Sequence, residues 1–161
     1  MIREFTDVDW PSVWAILEPV FRAGETYAYS PQITEAQARA VWVEQPRATY
    51  VAEDDRGNLT GTYYIKTNQP ELGGHVCNCG YAVAEVARGQ GVGSRMCAHS
   101  LEVARQLGYR AMQYNLVAET NTGAIRVWEK HGFSVVGRLP GAFRHTGQGY
   151  VDALVMYQWL P

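Results

Sequence analysis

Apolar residues recur every three to four positions in four stretches of the chain, and in alternation or short unbroken runs in seven others. Trp10, Val13, Trp14, Leu17 and Phe21 form one stripe after Thr6. That spacing predicts a helix which Pro11 suits in its first turn and Pro19 should kink or end. The capping-box pair Thr34 and Gln37 predicts a second helix to about Glu44, with Pro46 just beyond. A third helix is predicted from Val92 to Leu107, with Val92, Met96, Val103 and Leu107 on one side and Gly108 as its stop. A short fourth covers residues 121–131, with Ile125 and Trp128 apolar and Gly132 ending it. Strands are predicted at residues 2–5, 48–54, 58–67, 75–84, 109–118, 133–139 and 149–160. Asp55-Arg56-Gly57 reads as a hairpin connection, and GETYAYSP (24–31) as a loop. The order β-α-α-β-β-β-α-β-α-β-β implies an α/β (α+β) architecture. Its mixed sheet would carry helices on both faces, without the regular alternation of a doubly wound fold.

Composition narrows the function classes. The chain of 161 residues fits one domain, 1–161, with no linker, repeat or low-complexity segment. It is 47% apolar and 19% charged, as a globular protein is. The net charge is −2 and no run of either sign occurs, which points away from nucleic-acid and membrane-surface partners. No apolar run approaches the ~20 residues that cross a bilayer. MIREFTDVDW lacks the cationic-then-apolar order of a secretory signal, so a cytoplasmic protein is expected. Cys77, Cys79 and Cys97 make no disulfide framework. His75, Cys77 and Cys79 alternate onto one strand face but span roughly 13 Å, too far to converge on a metal, and none is expected.

The candidate chemistry centres on Arg88-Gly-Gln-Gly-Val-Gly93, at a strand-to-helix junction. The first N–H groups of a helix have no internal partner and carry the positive end of its dipole. Alternating glycines let that backbone approach a ligand, so the stretch suits a phosphate or pyrophosphate. A tight turn with no ligand is the plain alternative. A dinucleotide fingerprint would read G-x-G-x-x-G, with an acid ending the next strand. Here the spacing is G-x-G-x-G, and the next strand runs through Gln113, Tyr114 and Asn115 with no acid. An NAD-dependent oxidoreductase is therefore disfavoured.

R-G-Q-G-V-G (88–93) resembles the Q/R-x-x-G-x-G/A signature of the GNAT-type N-acetyltransferase superfamily. N-T-G-A-I-R-V-W-E-K-H-G-F (121–133) resembles that family's second motif, N-x-x-A-x-x-x-Y-x-K-x-G-F. The element order agrees across nearly the whole chain. The resemblance implies a six- to seven-stranded, mostly antiparallel sheet with splayed central strands, and acetyl-CoA as acetyl donor. It places the pantetheine arm along Tyr81, Ala82 and Val83, and the pyrophosphate on Arg88, Gly89, Gln90, Gly91, Val92, Gly93 and Ser94. Asn121 matches a position that contacts the arm, though an asparagine there also caps its helix. Trp128 stands where the family often has the tyrosine that protonates the thiolate, and indole has no such proton to give. Tyr114, Tyr150 or water would have to serve, or no acid at all. A homodimer through the last strands is also compatible with the family.

The strings HVCNCGY, QYNLVAETN and GRLPGAFRH resemble the subgroup that includes proline-analogue acetyltransferases. That likeness gives Asn78 and Asn115 the task of orienting the acceptor's amine or carboxylate; satisfying each other or the backbone is the alternative. Glu25 is a candidate base, with His75 behind it. GETYAYSP and LPGAFRHTGQGY (139–150) are expected to wall the acceptor pocket through Tyr27, Tyr29, Phe143, Arg144 and His145, with Arg144 as partner for a carboxylate. The expected function is acetyl transfer to the amine of a small molecule, such as an amino or imino acid. A catalytically silent CoA-binding module is the rival.

Overall fold

The computed structural model describes Met1–Pro161. Seven strands form one sheet: β1 (Ile2–Glu4), β2 (Ala48–Glu53), β3 (Leu59–Thr67), β4 (Val76–Val83), β5 (Ala111–Ala118), β6 (Ser134–His145) and β7 (Gly149–Trp159). They lie in the order β1-β2-β3-β4-β5-β7-β6. Every neighbouring pair is antiparallel except β4 and β5. The helices are α1 (Trp10–Ala23), α2 (Glu35–Arg39), α3 (Val92–Gln106) and α4 (Thr122–Lys130).

The two sheet faces carry separate cores. Val13, Leu17 and Phe21 of α1 pack with Trp42, Val51, Tyr64 and Ala82 on one face. Met96, Cys97 and Ala104 of α3 and Trp128 of α4 pack with Tyr63, Cys77, Cys79 and Tyr114 on the other. Strand alternation explains the division, since neighbouring residues of β3 and β4 point to opposite cores.

Three expectations need correction. Pro19 does not end α1, which runs on to Ala23 and stops at Gly24 in the left-handed conformation. The lost hydrogen bond belongs to Ala15, which like Pro19 is exposed, while burial of Phe21 beyond it holds the last turn in place. The second helix is α-helical only over Glu35–Arg39; Ala40–Glu44 widens into a π-helical turn. The sixth strand does not stop near residue 139. It continues to His145 through a register shift between Leu139 and Phe143, so most of LPGAFRHTGQGY is a long hairpin with β7.

Candidate active site

The parallel pairing of β4 with β5 covers only Val76–Ala111 and Cys77–Met112. Beyond it the strands diverge, although β4 stays paired with β3 as far as Val83. The Asn78 side-chain amide bridges the narrow end of the wedge, donating to the carbonyl of Gln113 at 2.9 Å. Main-chain direction alternates along β4. The carbonyl of Val76 and the N–H of Ala84 bond towards β3, to Asn68 and Thr60. The main-chain groups of Cys79, Tyr81 and Val83 therefore face the open wedge. That edge leads into a short turn and then the glycine loop.

In the loop, Gly89 and Gly91 have φ of +75° and +76°. A Cβ on Gly89 would meet nothing within 4 Å, so packing does not demand glycine there; the left-handed backbone does. The N–H groups of Gly89, Gly91, Val92, Gly93 and Ser94 have no partner within the chain. Those of Arg88 and Gln90 close back on Glu85 and Ala87. The Gln90 side chain is likewise turned back, donating to the Val86 carbonyl at 2.9 Å, while Arg95 holds the Gln90 carbonyl at 3.1 Å. Five aligned donors at a helix N-terminus, with Arg88 beside them, fit a diphosphate in donor type and charge.

A cleft of about 870 Å³ joins this loop to the wedge and passes beneath the segment that follows α1. Of the residues expected at the site, Glu25, Tyr27, Asn78, Tyr81, Ala82, Val83, Arg88, Gly89, Gly91, Val92, Gly93, Ser94, Asn115 and Asn121 line it. Gln90 does not, for the reason just given. Phe143 and Arg144 do not line it either. Phe143 is buried against Ala118, Val151 and Ala153, and Arg144 is exposed on the hairpin. The hairpin reaches the site indirectly: Thr146 donates from its hydroxyl to the Ala23 carbonyl at 2.6 Å and from its N–H to that of Gly24 at 3.3 Å. His75 is exposed at the start of β4, outside the cleft, and Tyr150 is 75% exposed on β7.

The two walls of the cleft differ in chemistry. Towards α3 and α4 lie aromatic rings. Trp128 is buried, 4.8 Å from the ring of Tyr81 and 5.0 Å from that of Tyr114. The Tyr81 hydroxyl bonds those of Ser100 (2.6 Å) and Tyr114 (2.9 Å). Burial pushes both phenols well up, so they stay neutral. Burial also pushes the Cys79 thiol up, and that of Cys97 up to about 12, which leaves neither as a thiolate nucleophile at neutral pH.

Towards α1 and α2 the wall adds polar side chains to the rings of Tyr27, Tyr29 and Tyr64. Lys66 lies opposite Asn78 in the β3–β4 register, and the Tyr64 hydroxyl donates to the Asn78 amide oxygen at 3.4 Å. On β5, the Gln113 side chain donates to that of Asn115 at 3.0 Å, and Asn115 donates to Asn68 at 2.7 Å. Asn78 and Asn115 are thus on the same side of the wedge without a hydrogen bond to each other; Gln113 links them, its carbonyl accepting from Asn78 and its side chain donating to Asn115. Tyr64, Lys66, Asn68 and Gln113 were not picked out from the sequence. The alternation Thr62, Tyr64, Lys66 shows that they share a face, but only the wedge makes that face a site. Among the lining residues Lys66 and Arg88 are the cations and Glu25 the carboxylate. Asn121 caps α4, accepting from the Ala124 N–H at 3.4 Å.

Comparison with known proteins gives a consistent picture. Residues 10–133 match the profile of the acetyltransferase (GNAT) family. N-acetyltransferase aca1 of Schizosaccharomyces pombe is 37% identical over 107 residues, 66% of this chain and 51% of that protein. YwnH of Bacillus subtilis, assigned provisionally as a phosphinothricin acetyltransferase, is 31% identical over 108 residues, 66% of this chain and 65% of its own. The match thus spans about half of the first relative and under two-thirds of the second. A GCN5-related N-acetyltransferase from Kribbella flavida superposes with a TM-score of 0.94 at 40% identity, covering 99% of this chain and 97% of that one.

Proposed function

Because the chain belongs to the acetyltransferase (GNAT) family, we propose that it is an acetyl-CoA-dependent N-acetyltransferase whose acceptor is a small amine carrying a carboxylate, an amino or imino acid. The carrying observation is continuity: the edge of β4 that no strand pairs runs into five unpaired loop amides along one cleft. An extended amide-bearing arm ending in a diphosphate matches that order of groups. Acetyl-CoA, when bound, supplies an activated acetyl thioester.

The residues then divide the work. The amides of Gly89, Gly91, Val92, Gly93 and Ser94, with Arg88, hold the diphosphate. The edge of β4 aligns the arm, and one of its N–H groups, at Tyr81 or Val83, faces the oxygen that gains negative charge during transfer. Asn121 lies beside the arm. Asn78 and Asn115 orient the acceptor, and Lys66 takes the carboxylate role first given to Arg144. An aliphatic amine is about one-thousandth neutral at pH 7, a penalty of roughly 4 kcal/mol. Glu25, exposed at the cleft rim, accepts the amine's proton directly or through water. The departing thiolate has a parent thiol pKa of about 8.5 and leaves without a dedicated acid, which accommodates tryptophan at 128.

The test is thiol release from acetyl-CoA across amino acids, proline analogues, polyamines and aminoglycosides. Turnover is expected with acceptors that carry a carboxylate. Lys66→Met should raise KM for those about tenfold and leave amines without one unchanged. Tight acetyl-CoA binding with no thiol release from any amine would identify a silent binding module instead.

A further inference from the structure

The edge of β4 facing the wedge is not free along its whole length. At its centre one side-chain oxygen engages both main-chain groups of Tyr81. The Tyr27 hydroxyl accepts from the Tyr81 N–H at 2.7 Å and donates to the Tyr81 carbonyl at 2.6 Å. A paired strand would satisfy the same two groups, and so would an amide of an extended ligand lying in the wedge. The ring is set by aromatic edges, with centroids 5.9 Å from Phe21 and 5.6 Å from Trp42. The segment Glu25–Ser30 is bound to the sheet through this hydroxyl, whereas its root at Gly24 is fixed by Thr146.

We propose that Tyr27 is a resident occupant of the donor groove, and that its hydroxyl must leave Tyr81 before the arm of acetyl-CoA can pair there. The proposal rests on the reading above that the groove takes acetyl-CoA. Arm and hydroxyl then compete for one rung of β4. Only the arm is affected, because the loop amides that hold the diphosphate lie beyond Val83 and do not touch Tyr27. Release of the hydroxyl also unties the segment carrying Glu25, while its root stays anchored on Thr146. Filling the donor groove therefore sets the acceptor side free to close on its substrate, and by linkage the acceptor favours the donor-bound form. Tyr27 acts here as a positioning residue. It needs no change of charge, since burial keeps its phenol neutral.

The test compares two ligands by calorimetry: CoA, and adenosine 3′-phosphate 5′-diphosphate, the part of CoA that lacks the arm. Tyr27→Phe keeps the ring and removes the competing oxygen. It should lower the Kd for CoA about tenfold and leave that of the armless nucleotide unchanged. An unchanged or higher CoA Kd in this variant, with the armless nucleotide still bound, overturns the proposal. If neither ligand binds the wild-type protein, the donor reading itself fails and the proposal falls with it. A second measurement needs no variant. With ¹³Cζ-labelled tyrosine in the wild-type protein, CoA should move the Tyr27 resonance and the armless nucleotide should not. A Tyr27 signal that stays in place with CoA bound overturns the proposal even where Tyr27→Phe does not fold.

Discussion

The two ends of the cleft are built in opposite ways. The anion end consists of consecutive residues, Arg88 to Ser94, and its working groups are backbone amides. The acceptor end consists of side chains from the segment after α1, from β3, from β4 and from β5, brought together from four separate parts of the chain. A backbone site tolerates change in side chains that point away from it but not a change of φ. A side-chain site tolerates neither a lost partner nor a shift of any strand that carries one. The first is specific for a kind of charge, and the second for a particular shape.

The largest effect should come from breaking the backbone end. Gly91→Val forces a β-branched residue into φ +76° and turns the loop amides away from their ligand. CoA affinity should fall about 100-fold, ~2.7 kcal/mol, by calorimetry. A loss below about threefold would show that the amides are not the diphosphate seat. At the other end, Asn78→Ala should cut kcat about tenfold while the Kd for CoA holds. It should also lower thermal stability by about 1 kcal/mol, because the half-buried Gln113 carbonyl loses its donor. Equal losses in turnover and CoA affinity would mean that Asn78 sets the width of the wedge rather than orienting the acceptor. The smallest effect sharpens the boundary of the site. Arg144→Ala, on the exposed part of the hairpin, should leave the acceptor KM within about twofold, and a larger rise would return the hairpin to the pocket wall.

The same contrast explains how far the sequence could be read. Strand and helix order followed from periodicity, whereas the splayed, mostly antiparallel sheet came from the likeness of the two motifs to the family. The glycine loop was legible as a cleft-lining turn, because its geometry is local: a left-handed turn, a helix start and a cation adjoin in the chain; the Arg88 and Gln90 amides, expected to face a ligand, instead close back on Glu85 and Ala87. Asn78 and Asn115 stood out because asparagine is out of place in a strand, and both do line the cleft. Lys66 and Tyr64 did not, because a lysine or tyrosine alternating in a strand looks the same whether its face meets solvent, core or ligand. Arg144 was expected in the pocket because residues 139–150 were read as its wall; the β6–β7 register shift instead carries β6 on to His145 as one long strand.

By itself, then, the chain order determined the order of the elements and marked the glycine loop as the candidate anion seat, since capping, glycine conformation and amphipathic period act over a few residues. Only the tertiary structure decided which cations line the cleft and that Tyr27, 54 residues away from Tyr81, bonds both main-chain groups at the centre of the β4 edge. Those contacts lie where β4 and β5 part and join groups far apart in the chain, so no local stretch of sequence specifies them.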